Sequence, residues 1–299
     1  MIAIEAFDLG KRYGRRVALD GCEFQLPAGR VCALVGANGA GKSTLLTLAA
    51  GLLTPSRGRV EVFGSRAGAR ETRPLVGFLS QDRPLFPQMS VEEHLRMGFE
   101  LNPRWSDDVA DRALGRLPRD APVEALSGGQ RARLALTLVL GKQPDLLLLD
   151  EPMAQLDPLA RHEMTSAIMS DAAERGTTVV ISSHALAEIE PVCDHLLLMD
   201  DGRILLAGDT EELIACHTMI TAAVDAGCDA PQELGLHSVI DARASDRSIT
   251  ALIRPGALLP GDWITATPTL EEVVLGYMRN PTTPPLLAEP DPRPKADLR

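Results

Sequence analysis

No segment of the sequence is long and apolar enough to cross a membrane. The longest apolar stretch covers residues 134–141, contains Thr137 and ends before Lys142, whereas a spanning helix needs roughly 20 apolar residues. The N-terminal segment carries Glu5 and Asp8 and lacks the apolar core of a signal peptide. We therefore expect the chain to be located in the cytoplasm.

An excess of positive charge is also missing. The chain has 30 lysines and arginines against 41 aspartates and glutamates, which gives a formal net charge of −11 at pH 7. Nucleic-acid-binding proteins usually present a basic surface, so this balance argues against nucleic acid as a partner, although a local basic patch is compatible with it. The five cysteines form no CxxC pair, and we expect reduced thiols rather than a zinc site.

What the sequence does contain is an alternation of short apolar runs and helix-like segments, the pattern of an α/β fold. Its continuous apolar or β-branched runs predict strands that are buried on both faces, at 31–35, 146–149 and 178–182. Other strands are predicted at 3–9, 60–63, 75–79, 196–199 and 203–207. Helices are predicted at 45–53, 91–99 and 107–117.

The composition changes after about residue 216, which divides the chain into two predicted domains and a tail. Residues 1–216 would form the α/β domain, with a helical subdomain at about 85–142. Residues 217–279 would form a small α+β domain, because three strand-like segments precede a helical one. The remaining residues, 280–299, include six prolines and are predicted to be disordered or extended.

A glycine-rich segment follows the strand predicted at 31–35. Residues 36–44 read GANGAGKST and match the pattern GxxxxGK[ST] of a phosphate-binding loop. The glycines let successive backbone N–H groups point at phosphate oxygens, and the helix that follows adds the positive end of its dipole. A glycine-rich turn that contains Lys-Ser by coincidence is the alternative, and the flanking strand and helix argue against it.

We expect the polar side chains of this loop to contact different parts of a nucleotide. Lys42 would reach the β- and γ-phosphates, the Ser43 hydroxyl would bind Mg²⁺, and Thr44 would lie near the α-phosphate. The other nucleotide-binding residues predicted in the loop are Asn38, Gly39, Ala40 and Gly41.

Asp150 and Glu151 directly follow the buried strand predicted at 146–149. Asp150 would hold hydrated Mg²⁺, and Glu151 would polarise the water that attacks the γ-phosphate. On its own, the pattern also fits a core strand that ends in two solvated acids. Together with the phosphate-binding loop, it predicts ATP hydrolysis.

Residues 126–130 read LSGGQ and resemble the signature of the ABC transporter ATPases. A specified pentapeptide arises by chance about once per million positions, and this one lies between the phosphate loop and Asp150, as that family requires. The resemblance covers roughly residues 1–215. Further matches are Tyr13 (the aromatic that stacks on adenine), Gln81 (the Q-loop), Asp157 (the D-loop) and His184 (the switch histidine).

The resemblance implies a fold, two cofactors and a dimer. The expected fold is a P-loop cassette with a RecA-like core, an antiparallel β region and a helical subdomain, followed by the small C-terminal α+β domain. The expected cofactors are ATP and Mg²⁺. In this family the signature contacts the γ-phosphate bound by a second subunit, so one phosphate loop and one signature per chain imply two chains arranged head to tail, most simply a homodimer. The signature residues assigned to the partner's nucleotide are Ser127, Gly128, Gly129 and Gln130. Asp157 of the D-loop is also predicted to contact nucleotide.

The resemblance also implies roles for the remaining motif residues. Gln81 would bind Mg²⁺ and the attacking water, and His184 would donate a hydrogen bond to the γ-phosphate. Tyr13 would stack on adenine, the alternative being a half-buried strand aromatic, and Val17 is a second candidate for adenine contact. Residues 153–155 read MAQ, whereas Thr-Ser-Gly or Thr-Ser-Ala is more usual in the family.

Three segments resemble bacterial ABC-2 type export ATPases, which include antibiotic-export subunits. They are 102–105 (NPRW), 157–161 (DPLAR) and 268–273 (PTLEEV). This resemblance implies an exporter whose permease is a separate integral membrane protein. The permease would contact the helical region between Gln81 and Ser127, and the chain would lie on the inner face of the cell membrane.

Two other classes of ABC ATPase are disfavoured. Soluble members that act on nucleic acid or the ribosome usually carry two cassettes, a long coiled coil or zinc-binding cysteines, and the sequence shows none of these. The presence of Lys42, Asp150, Glu151 and His184 argues against a regulatory subunit that does not hydrolyse ATP.

Overall fold

The fold is described by a computed structural model for residues 1–154, 156–223, 232–245, 247–260 and 263–287. Gln155 in the D-loop segment and residues 288–299 of the predicted tail lie outside the described residues. Within the described ranges, no helix has the length and apolar character needed to span a membrane.

A seven-stranded sheet lies at the centre of the fold. Its strands are β3 (Val31–Val35), β6 (Val76–Leu79), β7 (Leu146–Leu149), β8 (Thr178–Ser183), β9 (His195–Asp200), β10 (Arg203–Asp209) and β15 (Leu286–Leu287). They are arranged in the order β15-β10-β9-β3-β8-β7-β6. Strands β3, β6, β7, β8 and β9 pair in parallel, so their carboxyl ends meet at one edge, where ligands bind in open α/β sheets.

Two smaller antiparallel sheets flank this centre. One consists of β1 (Ile2–Tyr13), β2 (Arg16–Pro27), β4 (Arg57–Val62) and β5 (Ser65–Arg66). The other consists of β11 (Thr218–Ala223), β12 (Ser238–Ala244), β13 (Ser248–Arg254) and β14 (Ile264–Ala266). The helices are α1 (Lys42–Ala49), α2 (Val91–Leu101), α3 (Asp107–Leu114), α4 (Gly128–Gly141), α5 (Pro158–Arg175), α6 (Thr210–Ala215) and α7 (Leu270–Arg279).

The two faces of the seven-stranded sheet bury different layers. Successive strand residues point to opposite faces, so Leu146 and Leu148 pack with α1 and the β1–β2 sheet, whereas Leu147 and Leu149 pack with α4, α5 and α7. We call these the α1 face and the α4 face. Every residue of β7 is buried, as the uninterrupted run of leucines predicts.

Helices α2, α3 and α4 form the predicted helical region around a separate small core. Trp105, which connects α2 to α3, packs against two glycines. A Cβ atom at Gly98 would lie 2.5 Å from the indole ring, and one at Gly141 would lie 2.7 Å from it. Trp105 therefore joins α2 to α4 as a packing residue.

The C-terminal sheet is attached to the centre of the fold through α7. Val273 and Tyr277 of α7 belong to the same buried cluster as Leu206 of β10 and Leu252 of β13. The Tyr277 hydroxyl also lies 3.1 Å from Nε2 of His217. The C-terminal region thus shares part of its core with the α4 face. A second, separate cluster that includes Ile220, Ala251 and Trp263 lies within the C-terminal region itself.

Residues 280–287, in the segment predicted to be disordered or extended, contain the short strand β15. Strand β15 pairs in parallel with Leu206 and Ala207 of β10. The Asn280 side chain donates to the Ile240 carbonyl (3.1 Å), and these backbone partners order a segment that its proline content alone would leave extended. The pairing covers the edge of the central sheet.

Candidate functional site

The glycine-rich loop connects β3 to α1 at the carboxyl edge of the sheet. Gly39 and Gly41 have φ values of +86° and +109°, a region that favours glycine. A Cβ atom at Gly41 would also lie 2.7 Å from the carbonyl oxygen of Ala18. The loop can therefore take this path only with glycine at position 41. Helix α1 begins directly after it, so the N-terminus of α1 lies at the phosphate loop.

Lys42 is the buried cation of this loop. Its Nζ donates to the carbonyl oxygens of Gly36 (2.7 Å) and Ala37 (3.1 Å) and lies 3.9 Å from Oε1 of Glu151. Burial lowers the pKa of the ammonium group, and the carboxylates of Glu151 and Asp150 oppose that shift. The two acids therefore favour the charged form of Lys42 beside the phosphate loop.

Glu151 is held by a residue that the sequence analysis did not assign. Its backbone N–H donates to Oγ of Ser182 (2.8 Å), and the Ser182 hydroxyl donates to Oδ1 of the buried Asp150 (2.8 Å). Because β7 pairs in register with β8, Ser182 stands next to Asp150 at the carboxyl edge. A serine near the end of a buried strand beside an Asp-Glu strand is the signal that could have identified it.

A cavity of about 420 Å³ joins the phosphate loop to Gln81, Glu151 and His184. Nδ1 of the exposed His184 lies 3.5 Å from Oε2 of Glu151. The predicted residues that line this phosphate cavity are Tyr13, Asn38, Gly39, Gly41, Lys42, Ser43, Thr44, Gln81, Glu151 and His184. Arg16 and Ala18, which were not predicted, line it as well.

Three of the residues predicted for the nucleotide site outside the signature and the D-loop do not line the phosphate cavity. Asp150 lies just behind it, bonded to Ser182. Ala40 is buried in the core, and its carbonyl accepts from the N–H of Gly202 (3.0 Å). Val17 is exposed on β2, between the two cavity residues Arg16 and Ala18, because neighbouring side chains of a strand point to opposite sides.

The signature residues lie at a second cavity, of about 310 Å³, between α3, α4 and α5. Ser127 caps α4: its Oγ accepts from the N–H of Gln130 (3.2 Å), and Oε1 of Gln130 accepts from the N–H of Ser127 (2.8 Å). Asp157 caps α5 by accepting from the N–H of Ala160 (2.9 Å). Gly129 also lines this signature cavity, whereas Gly128 does not. The two cavities have no lining residue in common.

A phosphate loop at the carboxyl edge of a parallel sheet, with an Asp-Glu pair at the same edge after another strand of that sheet, defines a P-loop nucleoside triphosphatase. A sequence model of the ABC transporter family matches residues 19–154. The chain is 35% identical over 236 residues to the Nod factor export ATP-binding protein I of Ralstonia nicotianae, covering 76% of this chain and 71% of that protein. It is 38% identical over 205 residues to the aliphatic sulfonates import ATP-binding protein SsuB of Pseudomonas entomophila, covering 68% of this chain and 75% of that protein.

The fold comparison agrees with these relatives. A solved ATP-binding subunit of an ABC transporter superimposes with a TM-score of 0.64 at 27% identity, covering 71% of this chain and 92% of the other. The chain belongs to the ATP-binding subunits of ABC transporters, and it is an ATPase of that family. The predicted cassette fold is thereby confirmed.

Proposed function

We propose that this chain hydrolyses ATP as one half of a head-to-tail dimer and drives export through a separate membrane permease. The observation that carries the proposal is the presence of two half-sites on one chain. The phosphate cavity contains the buried Lys42 and the carboxylate of Glu151, and the signature cavity contains Ser127 at a helix N-terminus. Neither cavity alone surrounds a triphosphate.

The phosphate cavity supplies the chemistry of hydrolysis. Lys42 and the N-terminus of α1 would hold the β- and γ-phosphates, and Glu151 would orient and polarise the attacking water. Ser43, Gln81 and Asp150 offer the hydroxyl, amide and carboxylate oxygens that Mg²⁺ prefers, and Mg²⁺ would neutralise charge on the phosphates. His184 would donate a hydrogen bond to the γ-phosphate from beside Glu151.

A second chain would complete each site. In a twofold dimer the same two surfaces meet twice, so the phosphate cavity of one subunit faces the signature cavity of the other. Ser127 and the N–H groups of Gly128 and Gly129 would then bind the γ-phosphate, since the N-terminus of α4 favours anions. The simplest assembly is a homodimer with two bound ATP molecules.

The permease would bind the helical region beyond Gln81. Phe86 is 56% exposed, while its backbone N–H donates to Nε2 of His94 on α2 (3.1 Å). Phe99 and Leu101 at the end of α2 are exposed as well. Phe86 therefore offers a fixed apolar contact, whereas Trp105 is engaged between Gly98 and Gly141. Through the permease, the chain would lie on the cytoplasmic face of the membrane.

Export is favoured over import by the length of the matched segments. The Nod factor export relative matches 236 residues, 76% of this chain, and the sulfonate import relative matches 205, 68% of this chain, so the similarity to the exporter covers more of the chain. The segments at 102–105, 157–161 and 268–273 resemble the ABC-2 type branch. We propose that this branch, with a drug or antibiotic as the cargo, describes the chain.

Reconstitution tests the function directly. The full chain and its cognate permease, placed together in proteoliposomes, should hydrolyse ATP and move cargo away from the side on which the chain lies. Cargo movement towards that side would contradict export and leave the ATPase role intact. A cysteine at Phe86 should cross-link to the permease, and cross-links only from a cysteine at Leu258 in the C-terminal region would refute the docking surface.

A further inference from the structure

Arg83 lies two residues after Gln81 and connects two loops of the phosphate cavity. Its Nη2 donates to the carbonyl oxygens of Pro152 (2.8 Å) and Ala154 (3.2 Å). Burial lowers the pKa of this guanidinium group, and no carboxylate among the described residues offsets the shift. Arg83 is half-buried, and its Nε is buried without a hydrogen-bond partner in the part of the chain that the structure describes. Partly desolvating a cation in this way is costly, so the connection itself needs a reason.

Each of the two loops is a tight turn closed by its own backbone hydrogen bond. The N–H of Arg83 donates to the carbonyl of Ser80 (3.1 Å), and Gln81 lies inside that turn. The N–H of Ala154 donates to the carbonyl of Glu151 (3.1 Å), which closes the second turn. Because each turn is closed, the hydrogen bonds of the Arg83 side chain fix the turn that contains Gln81 relative to the turn that begins at Glu151.

The backbone at both ends of this connection is in the left-handed region. Arg83 has a φ of +44° and Glu151 a φ of +46°, values that are uncommon for residues other than glycine. Such positions cost on the order of 1–3 kcal/mol each and persist where the surrounding structure holds them. Ser182 holds Glu151 from the side of β8, and Arg83 holds the same turn from the side of β6.

We propose that Arg83 is a positioning residue for ATP hydrolysis, which fixes the loop of Gln81 relative to the turn of Glu151. The guanidinium fork is suited to this because several N–H groups in a rigid plane can serve two acceptors at once. The link also ties the loop that leads to Phe86 to the segment that leads to Asp157, at the place where the family's usual Thr-Ser is replaced by Met153-Ala154. The inference rests on the proposed role of Glu151.

Steady-state ATP hydrolysis by the full chain tests the proposal with two variants. Arg83→Met should lower kcat about 10- to 100-fold, since misplacing reacting groups by about 1 Å has effects of that order. The KM should stay within about twofold, because Lys42 and Tyr13 keep their contacts and only the transition state loses stabilisation. Arg83→Lys keeps one charged donor and should restore a large part of kcat.

A matched control is provided by Arg175, which also donates to a backbone carbonyl next to β7 but at the opposite end of that strand. Its Nη2 bonds the Pro144 carbonyl (2.5 Å) and Oδ2 of Asp171 (3.2 Å). Arg175→Met should lower the melting temperature and leave kcat unchanged where the protein is folded. The proposal is overturned if Arg83→Met keeps its kcat, or if it loses activity only in proportion to unfolded protein without rescue by lysine. Normal turnover by Glu151→Gln would instead refute the proposed role of Glu151.

Discussion

The two faces of the central sheet support two half-sites that are built in different ways. On the α1 face, Lys42 is buried beside the phosphate loop and is already close to Glu151. On the α4 face, the polar groups of Ser127, Gln130 and Asp157 satisfy one another or their own helix ends. The phosphate half therefore contains a positive charge that can bind a phosphate group by itself. The signature half would bind a phosphate group only when a second chain supplies the nucleotide.

The largest expected effect concerns the phosphate half. Glu151→Gln should lower ATP hydrolysis about 100- to 10,000-fold, the usual contribution of a general base, while ATP binding persists because Lys42 is retained. The measurements are phosphate release and nucleotide affinity, together with size-exclusion chromatography, in which an ATP-bound dimer should accumulate. Glu174→Gln, on the exposed side of α5, serves as the control and should behave like the unaltered chain. Near-normal turnover by Glu151→Gln would remove the proposed distinction between the halves.

The next effect tests whether the C-terminal helix belongs to the α4 face. Tyr277 is 0% exposed and bonds to His217, so Tyr277→Ala should lower the free energy of unfolding by about 3–5 kcal/mol, the range for deleting a buried aromatic ring. Met278→Ala, at a neighbouring position that is 36% exposed, should cost much less. Denaturant titration measures both. Equal, small changes would mean that the C-terminal region is only loosely attached.

The same packing revises what truncation after residue 217 should do. From the sequence, the cassette would be expected to fold and bind ATP without the C-terminal residues. The structure shows that truncation would expose Leu206 and Leu213 on the α4 face, and each such buried side chain contributes about 1.5–3 kcal/mol. We therefore expect a truncated chain that aggregates, which light scattering would detect. A monomeric, cooperatively folding product would contradict this.

The signature half is tested by a substitution that leaves the phosphate cavity intact. Ser127→Arg places a long side chain where the partner's γ-phosphate would bind, and hydrolysis should fall about 100- to 1,000-fold, as for the loss of a transition-state hydrogen-bond donor. ATP affinity measured on the monomer should not change, because the two cavities share no residue. Ser166→Arg on the exposed side of α5 is the control. A collapse of monomer affinity would show that Ser127 acts within its own subunit.

The parts of the fold that the sequence predicted well depend on local requirements. The strands β3 and β7 coincide with the predicted runs 31–35 and 146–149, because an uninterrupted apolar strand can only be buried on both faces. The phosphate loop was recognisable because its glycines are required by positive φ angles within a short segment. Strand β2 was missed, although Cys22, Phe24 and Leu26 are buried in alternation, a period-two signal that was present in the sequence.

The parts that could not be predicted depend on contacts between distant segments. Arg83 meets Pro152 and Ala154 only through the side-by-side packing of β6 and β7, and nothing near residue 83 in the sequence indicates its partners. The ordering of residues 286–287 likewise depends on a free edge of β10. Local composition predicts whether a segment forms a helix or a strand, but it does not predict which other helix or strand packs beside that segment.

The smallest expected effect separates adenine recognition from phosphate binding within the phosphate cavity. Tyr13 ends β1 with a ring that is 47% exposed and lines the cavity, which is the arrangement expected of a stacking platform. Tyr13→Ala should weaken ATP binding by about 1 kcal/mol, the scale of one stacked aromatic pair, or roughly fivefold in Kd. The preference for ATP over GTP should also relax, since Lys42 would bind the phosphates of either nucleotide alike.

Two further variants identify which atoms of this surface matter. Tyr13→Phe keeps the π face and should bind ATP like the unaltered chain, so a loss would point to the hydroxyl group instead. Val17→Ala should have little effect, because Val17 does not line the cavity whereas Arg16 and Ala18 do. Fluorescence titration with ATP and GTP measures all three variants. If Val17→Ala weakened ATP binding as much as Tyr13→Ala, adenine would have to lie along β2. Strand β2, and not only the ring of Tyr13, would then form the adenine side of the phosphate cavity.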